Sequence, residues 1–178
     1  SKLFGYEAGM ENGIHVISDK DALKYLAVSH KYLNIKTLVT PVALHQLARF
    51  HENECISFLR FLKSTNPIFV GNGNVKSKII KKLFGDVHIK TPLSDSYNEI
   101  DRIEKELIQN LENNRNEFRV VVVAMGCPGR ILQKRILKKG YQVYLFDFGS
   151  LLDAFNGEDS RHWISLTGGF DYYINMLE

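Results

Sequence analysis

Two patterns of hydrophobic residues alternate along the chain, one typical of strands and one typical of helices. Short, nearly continuous apolar runs bounded by Gly, Pro, Asn or Asp are typical of buried strands. Such runs occur at GIHVIS (13–18), NIKTLV (34–39), NPIFVG (66–71), VHIKTP (87–92), VVVVA (120–124) and YQVYLFDFG (141–149). Between them, apolar residues recur with a helical period, which predicts helices at 19–33, 42–63, 75–85, 96–116 and 129–140.

This alternation predicts the fold class. Parallel strands need long crossover connections, and helices of this length supply them. We therefore expect an α/β fold: a doubly wound, largely parallel, Rossmann-like sheet with helices on both faces. Neither an internal repeat nor a linker is visible, so residues 1–178 are expected to form a single domain. The start at Ser1 rather than Met is expected of a domain excised from a longer protein.

Composition and charge limit the classes of partner and the cellular compartment that the sequence indicates. Hydrophobic residues make up 44% and charged residues 24%, as in ordinary globular proteins. A net charge of +3 does not indicate a nucleic-acid partner without a concentrated basic patch. Cys55 and Cys127 are too few for a disulfide framework and favour a reducing compartment. No signal peptide is visible, and no apolar run approaches the roughly 18–20 residues of a membrane span, so no transmembrane segment is expected.

Polar segments follow three of the predicted strands. In an open parallel sheet, ligands bind beyond the carboxyl ends of the strands, so these segments form the candidate binding edge. The segments are GNGN (71–74), GCPGR (126–130) and DFGS (147–150). The residues expected to bind a ligand are Gly71, Asn72, Asn74, Gly126, Gly129, Arg130, Gly149 and Ser150.

The turn GCPGR has a chemical rationale of its own. Gly126 and Gly129 allow backbone N–H groups to approach a ligand, and the following helix offers its positive end to an anion. The alternative is an ordinary strand-to-helix turn with a solvated Arg130. The turn matches neither the dinucleotide fingerprint nor the P-loop. Cys127 is not expected to act as a phosphatase-type nucleophile, because the arginine required six residues later is replaced by Gln133.

Two carboxylates are candidates for catalysis. Asp147 ends the last predicted strand, and Asp153 follows six residues later on the next predicted helix. A carboxylate at a strand end can bind a ribose hydroxyl or a divalent metal, so Asp147 is also a candidate metal ligand. The alternative role of Asp147 is to cap the helix that begins near Ser150.

Three further features have simpler alternatives. The segment EDSRHW (158–163) could clamp a diphosphate and stack on a base, although a single Trp is also a common packing anchor. The six histidines show no metal-ligand spacing, so no zinc site is expected. The basic segments 76–82 and 134–139 are most simply solvated faces, and alternatively contacts to an anionic membrane or acceptor.

The stretch VVVVAMGCPGRILQKRILKKGYQVYLFDFGSLLDAF (120–155) resembles the GT-D-type glycosyltransferase-like domains, a Rossmann-like family of bacterial proteins linked to sugar transfer. PIFVGNGN is similar to the strand and turn that face the nucleotide in such domains, and the resemblance spans roughly the C-terminal two-thirds. The positions that carry it are Gly126, Pro128, Gly140, Tyr141, Asp147, Gly149 and Asp153. One departure is the lack of an N-terminal Gly-Asp-Gly-Glu segment, since FGYEAGMENG supplies only Glu7 and Glu11.

The resemblance implies a glycosyltransferase with a nucleotide-sugar donor and a sugar or glycan acceptor, acting in bacterial polysaccharide or glycoconjugate synthesis. The implied location is the cytoplasm, free or peripheral at the inner membrane. Mn²⁺ or Mg²⁺ on Asp147 and Asp153 would neutralise the leaving diphosphate, and no NAD or flavin is expected. The alternative is a non-catalytic nucleotide- or sugar-binding domain of a larger polysaccharide-synthesis protein. A methyltransferase or dehydrogenase is a third hypothesis, disfavoured by the departure from the Gly-rich fingerprint.

Overall fold

The computed structural model describes residues 10–11, 14–15, 42–113, 115 and 117–158, with the backbone alone at 10, 11, 14, 15, 42, 43, 45 and 46. The chain divides into two compact units, residues 1–40 and 41–178, and a single domain over 1–178 stays a prediction. In the first unit, strand β1 (Met10–Glu11) pairs antiparallel with strand β2 (Ile14–His15). β2 lies within the strand predicted at 13–18. The elements predicted at 19–33 and 34–39 lie outside the described residues.

The second unit alternates helices and strands. Its helices are α1 (Val42–Phe50), α2 (Glu52–Ser64), α3 (Ser77–Leu83), α4 (Ile100–Glu112), α5 (Cys127–Lys138) and α6 (Leu151–Asn156), with a 3₁₀ turn at Ser96–Glu99. Its strands are β3 (Ile68–Asn72), β4 (His88–Thr91), β5 (Arg119–Ala124) and β6 (Val143–Asp147). Each of these strands overlaps a predicted apolar run. No helix in the described ranges is long and apolar enough to span a bilayer.

The four strands described in the second unit form one sheet in which every pair is parallel, which confirms the predicted α/β fold class. The order across the sheet is β4–β3–β5–β6. The chain moves from β3 to β4 on one side, and then crosses back to β5 on the other side of β3. The strand order therefore reverses between β3 and β5, and this pair flanks the switch point of the sheet.

Alternate strand residues face two separate cores. On one face, Phe69, Val122 and Phe148 pack in a cluster with residues of α1, α2, α3 and α6. On the other face, Val70 and Val123 pack with residues of α4 and α5. Because both faces are covered, β3 and β5 are apolar on both sides, and this explains their continuous runs in the sequence. Lys90 of β4 and Tyr144 of β6 are exposed.

The helix predicted over 42–63 is two helices in the structure. His51 separates α1 from α2, with φ −141° and ψ 61°, outside the helical region. Hydrogen bonds nevertheless continue through the junction, from His51 N–H to the Leu47 carbonyl (2.8 Å) and from Cys55 N–H to the His51 carbonyl (2.9 Å). The apolar spacing is therefore retained across the break, and the pattern of apolar residues could not reveal it.

Candidate functional site

The carboxyl edge of the sheet brings the three predicted polar segments together. GNGN begins with the last two residues of β3, Gly71 and Asn72, and GCPGR follows β5; these strands are neighbours, with Gly71 opposite Ala124. DFGS begins with Asp147, the last residue of β6, which lies opposite Val123 of β5. GNGN and GCPGR thus flank the switch point, where the crevice of an open parallel sheet binds ligands.

The loop after β3 is held by hydrogen bonds to two partners. The side-chain carbonyl of Asn72 accepts the backbone N–H of Asn74 at 2.9 Å and closes a local turn. The N–H of Gly73 donates to the Thr91 carbonyl at 2.9 Å, which ties the loop to the end of β4. Because the Asn74 side chain is exposed, its amide donors and acceptor are accessible at this edge.

Gly71 has a packing role within this segment. It is buried, and a Cβ atom at this position would lie 2.4 Å from Cζ of Phe69. The Phe69 ring stacks on Phe84 with centroids 4.5 Å apart. The Gly71 carbonyl also lies 3.0 Å from Nε2 of His88, and since a carbonyl only accepts, Nε2 donates. Burial lowers the pKa of His88 below its usual 6.5.

The turn after β5 contains two glycines with different tasks. Gly126 is exposed, with φ 62° and ψ −145°, a conformation that is essentially restricted to glycine. Gly129 is buried, and its N–H donates to the Gly126 carbonyl at 3.0 Å. A Cβ atom on Gly129 would lie 2.8 Å from Val123 Cγ1 and 2.9 Å from Met125 Cγ. Gly129 therefore allows α5 to pack closely on the sheet.

The first turn of α5 carries two exposed side chains. Cys127 begins the helix and Arg130 lies three residues later, as the sequence predicted for the end of the turn. Because Arg130 is exposed, its guanidinium is accessible to an anion and can bind it in a bidentate manner. The second thiol of the chain, Cys55, lies buried in the core, where burial and then the charge of Glu52 raise its pKa to about 11.

The end of β6 is shaped by Asp147. One oxygen of its carboxylate accepts the N–H of Gly149 at 3.0 Å, and Gly149 adopts φ 64°. This hydrogen bond therefore lies in the turn before α6, and it does not cap a backbone N–H group of the helix itself. Ser150 is the N-cap residue of α6, and its carbonyl accepts the N–H of Asp153 at 3.1 Å. Asp147, Ser150 and Asp153 are all half-buried at this edge.

The sequence patterns placed Lys76 only in the basic segment 76–82 and did not identify its contact with Asn156. Lys76 follows GNGN, and its backbone N–H donates to the side-chain carbonyl of Asn156 at 2.9 Å. Its ammonium donates to the backbone carbonyl of Asn156 at 2.8 Å. The two residues are 80 positions apart, and a Lys shortly after a Gly-Asn loop was the only sequence signal.

Among the described residues, no group of three or more His, Cys, Asp or Glu side chains is placed to hold a metal ion. Asp147 and Asp153 could supply two carboxylates, and Mg²⁺ can bind one or two carboxylates when substrate phosphates and waters complete its shell. Two carboxylates alone do not make a complete metal site.

Several candidate residues lie outside the described part of the chain. They are Glu7, Asp159, Arg161, His162 and Trp163.

Comparisons with protein-family models, with curated proteins and with solved structures find no match for this chain. Proposals about its function therefore rest on the sequence pattern and on the geometry of the carboxyl edge.

Proposed function

We propose that the domain is a glycosyltransferase that binds a nucleotide-sugar donor in the crevice between β3 and β5. The observation that carries the proposal is the position of GNGN and GCPGR on neighbouring parallel strands at the switch point of the sheet. The turn GCPGR combines small residues with backbone N–H groups, which suit an approaching phosphate. In GNGN the N–H groups of Gly73 and Asn74 are bonded within the protein, and the exposed side chain of Asn74 is the accessible polar group. This fold supports many reactions. We propose sugar transfer because residues 120–155 resemble GT-D-type domains.

The donor would contact all three segments. Its diphosphate would lie between the loop at Asn72 and Asn74 and the turn at Gly126, with Arg130 as an accessible cation. Asp147 lies one strand further, and only one of its oxygens is needed for the bond to Gly149. Since a carboxylate has two oxygens with several acceptor positions, Asp147 can still accept a hydrogen bond from a ribose hydroxyl.

The reaction would transfer the sugar to a hydroxyl of the acceptor. The acceptor oxygen forms a bond to the anomeric carbon while the bond between that carbon and the diphosphate oxygen breaks. The hydroxyl proton passes to a carboxylate that acts as general base, and Asp147 and Asp153 are the two proposed for the catalytic roles. Positive groups at the edge would stabilise the charge that develops on the leaving diphosphate.

A thermal-shift screen tests donor binding. The panel contains UDP, GDP, ADP and dTDP, their sugar conjugates, S-adenosylmethionine and NAD(H), each with and without Mn²⁺. We expect a higher Tm with one nucleoside diphosphate or its sugar, and loss of that shift in Asp147→Ala. A shift with S-adenosylmethionine or NAD(H) alone would identify a methyltransferase or dehydrogenase instead, and silence across the panel would contradict donor binding.

A turnover assay separates an enzyme from a binding domain. The sugar conjugate that raises the Tm is incubated with the protein, and release of the free nucleoside diphosphate is followed over time. We expect release that depends on Asp147 and on added acceptor glycans. Binding without release under any acceptor would contradict the transferase and favour the non-catalytic binding domain.

A further inference from the structure

The hydrogen bonds between Lys76 and Asn156 are built around a buried amide. Asn156 is 4% exposed, and both the carbonyl and the NH₂ group of its side-chain amide form hydrogen bonds. Its carbonyl accepts from the Lys76 N–H at 2.9 Å, and its NH₂ group donates to Glu158 at 2.5 Å. An amide with both ends bonded in the protein interior has one orientation, so the position of Lys76 is fixed as well.

Helix α6 carries this contact across the carboxyl edge. The helix begins just after β6, and its last residue, Asn156, contacts the loop that follows β3. In the sheet, β5 lies between β6 and β3, so the contact between Asn156 and Lys76 joins segments that follow two strands that are not neighbours. Lys76 therefore lies where α6 meets the GNGN loop, at the margin of the crevice between β3 and β5.

We propose that Lys76 binds the diphosphate of the donor and that Asn156 is the residue that positions it. This inference rests on the proposed function and assigns to the same site a second cation in addition to Arg130. Lys76 is exposed although its ammonium is held at one point, 2.8 Å from the Asn156 carbonyl. An ammonium has three N–H donors, and among the described residues Asn156 accepts one of them, which leaves two for phosphate oxygens.

The position of the ammonium is suited to an incoming anion for a second reason. Asn156 is the last residue of α6, and Gly157 follows it with φ 82°. A Cβ atom at Gly157 would lie 3.5 Å from Nζ of Lys76, so the glycine leaves space beside the ammonium. A preorganised cation binds phosphate without the entropic cost of ordering a long lysine side chain at that moment.

The test compares Lys76→Met with Lys78→Met, a control that removes an exposed lysine two positions later, on α3. Binding of inorganic pyrophosphate and of UDP, GDP, ADP and dTDP is measured by calorimetry at several salt concentrations. We expect Lys76→Met to weaken diphosphate binding about tenfold or more and to reduce its salt dependence, while Lys78→Met binds like the wild type. Tm values of both variants show whether the fold is retained.

A double-mutant cycle tests the positioning role. Asn156→Ala removes the side-chain carbonyl that holds the Lys76 backbone N–H and keeps the backbone carbonyl at the ammonium. It should weaken diphosphate binding less than Lys76→Met does, and the double variant should bind no more weakly than Lys76→Met alone, because Asn156 acts through Lys76. Unchanged affinity and salt dependence in Lys76→Met would overturn the inference while leaving donor binding intact, and additive effects would overturn the role of Asn156. If the wild type binds neither pyrophosphate nor any of the diphosphates, the donor-binding proposal itself fails.

Discussion

The carboxylate of Asp147 accepts a hydrogen bond from the backbone N–H of Gly149 at 3.0 Å. This bond holds the chain in the turn between β6 and α6, where Gly149 has φ 64°. It gives Asp147 a structural task in addition to the proposed contact with ribose. The two tasks can be separated, because the turn needs one acceptor oxygen, whereas the proposed contact with the ribose hydroxyl uses the second oxygen of the charged carboxylate.

Two substitutions at Asp147 should therefore have different effects on the free energy of unfolding and the same effect on nucleoside diphosphate binding. Asp147→Asn keeps a side-chain carbonyl for Gly149 and should leave the free energy of unfolding nearly unchanged. Asp147→Ala removes the acceptor and should lower it by about 1 kcal/mol. Both remove the charge and should weaken nucleoside diphosphate binding about tenfold. Denaturation curves and calorimetry measure the two quantities, and wild-type affinity in Asp147→Asn would exclude a role for the charge.

Gly129 should be sensitive to the addition of one methyl group. In Gly129→Ala the new Cβ would lie under 3 Å from Val123 and Met125, both buried, so α5 or the sheet must shift. We expect a loss of about 1–3 kcal/mol in the free energy of unfolding, as for other overpacked sites. Lys134→Ala, an exposed position of α5, is the control and should change stability little. Equal urea midpoints for both variants would show that the helix does not pack this closely.

The two thiols should differ sharply in reactivity. Cys127 is exposed and Cys55 is fully buried with a pKa raised to about 11. Because the thiolate is the reactive form, a chromogenic thiol reagent at pH 8 should modify Cys127 in the native protein and leave Cys55 unmodified. The native Cys127→Ser variant should not be modified. Unfolding should release the second thiol. Rapid modification of Cys55 in the native state would contradict the packing of α2 on the sheet.

The raised pKa of Cys55 also predicts an alkaline loss of stability. In the unfolded chain this thiol ionises near 9.0, whereas in the folded protein it stays protonated until about 11. Its protonated form therefore favours the native state fully below pH 9, and the stability falls as the pH rises from about 9 to about 11. A Cys55→Ala variant should lack this component when urea midpoints are compared across the range.

His88 should show the opposite dependence on pH. Burial lowers its pKa in the folded state, so the unfolded chain takes up a proton first as the pH falls. Stability is therefore retained above pH 6.5 and is lost as the pH falls below it. Two-dimensional NMR titration should place the imidazole pKa below 6.5, and His88→Gln should reduce the acid sensitivity of the Tm. A titration midpoint above 6.5 would contradict the burial of the ring against Phe69.

The periodicity of the sequence predicted the elements of the second unit because their signals are local. Apolar runs buried on both faces indicated the strands, and the end of α3 was visible in Gly85, which adopts φ 125° and donates its N–H to the Ile80 carbonyl at 3.1 Å. The order of strands is not local. Nothing in the sequence of β3 shows that it lies between β4 and β5, and the position of the crevice follows from that order.

The candidate site was predicted in part for the same reason. The three polar segments were visible as strand ends, but the packing of Gly129 on Val123 depends on how α5 lies on the sheet. The contact between Lys76 and Asn156 joins positions 80 residues apart. Such pairs leave no periodic trace in one sequence, and each residue alone is an ordinary surface Lys or helix-end Asn.

The central claim is that a nucleoside diphosphate binds in the crevice between β3 and β5. Hydrogen–deuterium exchange of the wild type, with UDP, GDP, ADP and dTDP added in turn, tests it most directly. We predict that one of them slows exchange at residues 71–76, 126–130 and 147–150 and leaves residues 107–112 of α4 unchanged, since this half of the helix packs on one face of the sheet, beyond the first turn that Arg102 joins to Lys90 of β4. Protection confined to other segments, or none with any of the four, would contradict the claim.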